Sequence, residues 1–91
     1  MRIGINGLGP IGRALMRLAW SCRDVEVAAV NDVAPAATLV HLLRHDSVAG
    51  FWDVPLASSE REIRVGDRVL PCWSRSAPGQ IPWSEQGVEV V

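Results

Sequence analysis

Hydrophobic and polar positions divide the chain into short blocks. Arg2-Ile3-Gly4-Ile5-Asn6 alternates and then meets glycines, which predicts a short strand feeding a turn. Ile11, Leu15, Leu18, Ala19 and Cys22 recur at helical spacing. They predict an amphipathic helix over residues 10 to 22, with these side chains as its apolar face. Pro10 suits the first helical position, where a missing N–H costs no intrahelical bond. Val25 to Val30 is a nearly continuous apolar run ending at Asn31-Asp32. Such a run suits a parallel strand buried on both faces. The first thirty residues therefore predict a right-handed strand–helix–strand unit.

A second helix is predicted over about 35 to 44, started by Pro35, with Ala36, Leu39, Val40 and Leu43 on one face. Asp46 to Gly50 breaks that pattern. From 53 to 73 the texture turns to β: Ile63 and Val65 alternate with charges, Gly66-Asp67 offers a two-residue hairpin turn, and Arg68 to Trp73 makes the return strand. Ala77-Pro78-Gly79 is expected to be a loop, and Ile81-Pro82-Trp83 precedes a last turn at Gly87. Val88-Glu89-Val90-Val91 has the character of an opening core strand. The expected fold is α/β: a partial Rossmann-type parallel sheet (strand, helix, strand, helix) with an added β-hairpin, ending at the start of a further core strand. A sheet ending there would leave an unpaired edge, so the chain alone is expected to self-associate.

Length and charge narrow the function. With 91 residues the chain holds at most one small domain, too little for a two-domain enzyme. A net charge of −1 lacks the basic excess of a dedicated nucleic-acid binder. No apolar run approaches the roughly 20 residues needed to cross a bilayer. No secretory leader follows Met1, so the expected location is the cytoplasm. All nine basic residues are arginine, which excludes chemistry needing a lysine amine. Two cysteines are too few for a disulfide framework.

The candidate chemistry lies in Gly7-Leu8-Gly9-Pro10-Ile11-Gly12, a G-x-G-x-x-G pattern. Alone it is a weak signal. Here it follows a predicted strand, opens a predicted helix, and has Asp32 twenty positions beyond its last glycine. Gly7 allows the tight turn, Gly9 lets the backbone approach a pyrophosphate, and Gly12 lets the helix pack closely on the strand. Free N–H groups at the helix start favour phosphate. Asp32 can accept hydrogen bonds from ribose hydroxyls and would repel a 2′-phosphate, so NAD is expected over NADP. Pro10 removes one phosphate donor.

Ile3-Gly4-Ile5-Asn6-Gly7-Leu8-Gly9-Pro10-Ile11-Gly12-Arg13 resembles the opening of the glyceraldehyde-3-phosphate dehydrogenase family. So do Val30-Asn31-Asp32, His41 to Gly50, and Ile81-Pro82-Trp83 with Gly87 to Val91. The resemblance covers essentially all of the chain. It implies an incomplete N-terminal NAD-binding domain over residues 1–91, without the catalytic domain. It further implies a parent oxidoreductase that oxidises glyceraldehyde 3-phosphate with NAD and phosphate, and that is a cytoplasmic homotetramer. Asn6, Gly7, Gly9, Pro10, Ile11, Gly12, Asn31 and Asp32 fall on the family's cofactor-binding positions. Pro10 stands where the family usually has arginine. The family's adenine-side arginine falls on Ser76, with Arg75 one position earlier. The family's catalytic Ser-Cys-Thr-Thr-Asn-like motif does not occur in these residues, so no catalytic residue is assigned and the chain alone is expected to be inactive. An erythrose-4-phosphate dehydrogenase and a non-catalytic NAD-binding or assembly module stay open as alternatives.

Other residues have plainer readings. Cys22 is expected on the apolar face of the first helix, and Cys72 in a strand, both as small packing residues. His41 and His45 share a helical face, but no further ligand cluster accompanies them. Arg61 and Arg64 with Glu60 and Glu62 suggest the solvated face of a hairpin. Trp20, Trp52, Trp73 and Trp83 are expected to pack.

Overall fold

Strand β1 (Arg2–Asn6), helix α1 (Pro10–Trp20), strand β2 (Glu26–Asn31) and helix α2 (Ala36–Arg44) follow one another in the predicted order. They belong to a computed structural model that describes residues 1–47, 50–76 and 81–88. The expected loop at 77–79, and all but the first residue of the strand expected to open at Val88, lie outside those residues. β1 and β2 pair in parallel from Arg2↔Glu26 to Asn6↔Asn31, with one register shift between Ile3 and Gly4. Beyond Glu26 every residue of β2 is buried, as its unbroken apolar run requires.

Two short strands, β3 (His45–Asp46) and β4 (Gly50–Phe51), form a small antiparallel pair after α2. β5 (Leu56–Ser59), β6 (Glu62–Val65) and β7 (Arg68–Trp73) then run antiparallel. Gly66, at φ +62°, turns β6 into β7 with Val65 opposite Arg68, as the Gly-Asp pair predicts. The hairpin is more than an addition. The end of β7 pairs in parallel with β2 at Val30↔Cys72 and Asn31↔Trp73. The result is one mixed five-stranded sheet in the order β1-β2-β7-β6-β5. A 3-10 turn over Trp83–Gln86 closes at Gly87 and sets the Trp83 ring on Gly4, where a Cβ would collide with it.

One core serves both helices and the sheet. Met16 and Ala19 of α1, Leu39 and Leu43 of α2, and Val27, Val30, Ile63, Val65 and Leu70 of the strands belong to a single buried cluster. In α2 the predicted face is the buried one: Ala36, Leu39, Val40 and Leu43.

In α1 it is not. The helix ends at Trp20 and buries Met16 and Ala19, while Ile11 is 86% exposed and Leu18 67%. Leu15 is exposed too. Cys22 is exposed beyond the helix end, so its assignment as a packing residue is corrected. Gly12 explains the different phase. It faces β1, and a Cβ there would run into the Gly7 carbonyl oxygen and crowd Ile5 Cγ2. Positions four and seven residues on, Met16 and Ala19, then point inward with it. Ile11, Leu15 and Leu18 each precede one of these by a residue and are swung about 100° away. The end of α1 tightens into i→i+3 bonds, with the Ser21 and Cys22 amides donating to Leu18 and Ala19.

The corrected phase is testable by denaturation. Met16→Ala is expected to cost about 2–5 kcal/mol, and Leu18→Ala to stay within about 0.5 kcal/mol. The opposite ranking of urea midpoints would restore the stripe that spacing alone suggested.

Candidate functional site

The parallel strands β1 and β2 end side by side, and their C-terminal ends carry the candidate residues. Gly7 leaves β1 at φ +96°, a conformation that L side chains resist. Its N–H donates to the Asn31 carbonyl at 2.7 Å, which turns the loop across the end of β2. Gly9 is the N-cap of α1, and its carbonyl accepts the first intrahelical bond, from Arg13 N–H at 2.9 Å. The Ile11 and Gly12 amides lie in the helical turn before that bond, where an α-helix offers no internal acceptor. A Cβ at Gly9 would meet nothing within 4 Å. The loop therefore borders free space, a cavity of about 470 Å³ walled by Asn6, Gly7, Gly9, Ile11 and Gly12.

Asp32 follows β2 and is tied on both sides. Its Oδ2 accepts from Leu8 N–H at 2.8 Å, and its Oδ1 from Ala34 N–H at 3.0 Å. Its own N–H donates to the Trp73 carbonyl at 2.9 Å. The second bond is a local Asx turn that fixes the carboxylate. Each oxygen keeps a further lone pair for a ligand. A second cavity of about 480 Å³ opens beyond Asp32, between the start of α2 and the end of β7. Pro35, Arg61, Trp73 and Arg75 line it with Asp32. Both volumes lie in the range of small-molecule sites, about 300–1,000 Å³.

Asn31 closes the constellation from below. It is only 3% exposed. Its Nδ2 donates to Asn6 Oδ1 and to the Arg75 carbonyl, both at 3.0 Å, and its Oδ1 accepts from Arg75 N–H at 2.9 Å. The side chain is thus engaged within the protein, fixing the backbone of residue 75 to the end of β2. Arg75 consequently stands on the wall of the second cavity, while Ser76 is exposed and not part of that wall. Of the two positions the sequence offers there, Arg75 lines this cavity.

Several tempting residues take plain roles. Cys72 is buried as expected, and its thiol is pushed from the ordinary 9.0 to about 11, first by burial and then by the charge of Asp32. His41 and His45 are exposed, with ring centres 5.0 Å apart, and Asp46 turns away to Arg13. Among the described residues no three His, Cys, Asp or Glu side chains gather to hold a metal. The tryptophans pack in edge-to-face pairs, Trp20 on Trp52 and Trp73 on Trp83. Glu60 to Arg64 is exposed apart from the buried Ile63, as a hairpin face should be. Arg61 also reaches the second cavity, a role its alternating pattern could not reveal. Among the described residues no helix is long and apolar enough to cross a membrane.

Residues 1–91 match the family model described as glyceraldehyde 3-phosphate dehydrogenase, NAD binding domain. The chain is 43% identical over 90 residues to glyceraldehyde-3-phosphate dehydrogenase 1 of Bacillus cereus, covering 99% of this chain and 27% of that protein. It is 40% identical over 92 residues to glyceraldehyde-3-phosphate dehydrogenase 1 of Streptomyces arenae, covering 100% and 28%. It is 38% identical over 91 residues to the glyceraldehyde-3-phosphate dehydrogenase of Geobacillus stearothermophilus, covering 100% and 27%. The chain spans about a quarter of the length of the curated relatives it matches.

The two thiols give a direct check on this arrangement. Alkylation of the folded chain at pH 8 is expected to label Cys22 alone, and alkylation in urea both cysteines. The raised Cys72 value also has a sign for stability: its contribution is intact below pH 9.0 and is lost as pH rises towards about 11. Equal labelling of both thiols in the folded chain would contradict the buried position of Cys72.

Proposed function

The chain belongs to the glyceraldehyde-3-phosphate dehydrogenase family, at its NAD-binding domain, and from that premise we propose that it holds the adenosine and pyrophosphate half of an NAD site. The observation that carries this reading is Asp32, bonded to the glycine loop on one side and facing the cavity beside Arg75 on the other. In this assignment the Ile11 and Gly12 amides and the positive end of α1 take the pyrophosphate. Asp32 accepts from the ribose hydroxyls, and its charge disfavours a 2′-phosphate. Pro35, Arg61, Trp73 and Arg75 enclose the adenine. Gly7, Gly9 and Gly12 shape the loop. Asn6 and Asn31 fix its base, and Ile11 covers one side. Ser76 lies at the rim.

Bound NAD supplies a hydride acceptor. The parent reaction in this proposal is oxidation of glyceraldehyde 3-phosphate with phosphate, in the cytoplasm, by a homotetramer. Residues 1–91 contribute cofactor binding and no catalytic group, since the family's cysteine motif is not among them. Pro10 lacks the amide that another residue would offer there. A hydrogen bond to a charged group is worth about 1.5–3 kcal/mol, so affinity is expected to be about tenfold or more below that of a loop with a full donor set.

Calorimetric titration tests the proposal. NAD is expected to bind at millimolar or tighter affinity, more tightly than NADP. Asp32→Ala should weaken NAD by about tenfold or more, and Pro10→Ala should strengthen it by about tenfold. A folded chain that takes up no NAD would support an assembly role instead.

Self-association is proposed on separate grounds. Among the described residues β1 pairs only with β2, and Ile11, Leu15 and Leu18 form an exposed apolar stripe. Size-exclusion chromatography is expected to show species larger than a monomer. A sharp monomeric peak with a cooperative melt would refute this.

A further inference from the structure

Leu8 sits between two glycines that place no side-chain restraint on its peptide groups. Its N–H is held by Asp32 Oδ2 at 2.8 Å. Its carbonyl accepts from Arg13 Nη1 at 3.0 Å, and its side chain is 1% exposed. Arg13 is anchored in turn, its Nε donating to Asp46 Oδ2 at 2.8 Å. That ion pair is largely withdrawn from solvent, with side chains 12% and 5% exposed. Asp46 lies in β3, which is paired to β4. A continuous polar chain thus runs from Asp32 through the Leu8 peptide and Arg13 to Asp46.

We propose that Arg13 is a positioning residue for the glycine loop, holding the Leu8 peptide in the conformation that receives a pyrophosphate. The proposal rests on the NAD reading above and adds how the loop is kept ready. A loop flanked by glycines loses much backbone freedom when ordered. Fixing both peptide groups of Leu8 beforehand removes that cost from binding. The planar guanidinium suits the task because its divergent N–H groups reach a carboxylate and a carbonyl together. A lysine ammonium on Asp46 would give up that fixed fork. Arg17, one turn later on α1, serves as the contrast. It joins the same helix to the same region through the Leu43 and Gly50 carbonyls, both outside the glycine loop.

The test separates loop positioning from general stability by comparing ligands with and without a pyrophosphate. NAD and ADP-ribose are titrated by calorimetry, and adenosine by NMR shift changes, into the wild-type chain, Arg13→Lys, Asp46→Asn and Arg17→Lys. Arg13→Lys is expected to weaken NAD and ADP-ribose by about tenfold, the loss of one charged hydrogen bond's worth of order. Adenosine binding should stay unchanged in the same variant. Asp46→Asn should give the same pattern more weakly, and it serves if Arg13→Lys does not fold. Arg17→Lys should shift the melting temperature without separating the ligands. Equal loss for all three ligands, or no loss, would overturn the positioning role while leaving the NAD reading standing. A wild-type chain that binds none of the three would overturn both.

Discussion

The arrangement depends on one close approach, that of α1 to the end of β1 at Gly12. With no side chain there, the helix rests against the Gly7 carbonyl and Ile5. That contact sets how α1 is rotated about its axis. It turns Met16 and Ala19 into the core and places Arg13 over the loop. Ile11 and Gly12 of its first turn line the cavity by the loop. A methyl group at this position would disturb core and site together, because both inherit the same helix orientation.

A second set of restraints is polar and sits at the strand ends. Asn31 joins Asn6 to the backbone of Arg75, and Asp32 joins Leu8, Ala34 and the Trp73 carbonyl. β7 meets β2 over only two residue pairs, so these side chains supply much of what seats the hairpin against the parallel strands. The division of labour is physical. Apolar burial holds the sheet and helices together, while hydrogen bonds with fixed directions define where the two cavities open.

Much of this was legible in the residues. The strand–helix–strand unit, the inward face of α2 and the Gly-Asp turn follow from local periodicity and turn chemistry, and the structure has all three. The glycine loop and Asp32 were legible because their spacing carries its own physical reasons. Spacing alone does not settle the face of α1, because Ile11, Leu15 and Leu18 make as regular a stripe as Gly12, Met16 and Ala19. Only the tertiary contact at Gly12 decides between them. The parallel pairing of β7 with β2 is not legible locally, because a hairpin pattern does not reveal what its outer strand meets. Arg75 and Arg61 as cavity walls, and Arg13 as a clamp, depend on partners 44, 11 and 33 residues away in sequence, such as Asn31, Cys72 and Asp46. For Arg75 and Arg13 the partner lies far outside any local window, and for Arg61 the alternating pattern does not tell which residue the strand meets.

The double engagement of Asp32 bears on how such a domain can change over evolutionary time. The carboxylate that discriminates between cofactors in our assignment is also a structural acceptor for the Leu8 amide. An alanine at this position would remove the charge that opposes a phosphorylated ribose and release the Leu8 amide in the same step. Cofactor preference and loop order are therefore linked through one side chain. An asparagine separates them, because its amide oxygen still accepts from the Leu8 N–H while the charge is gone.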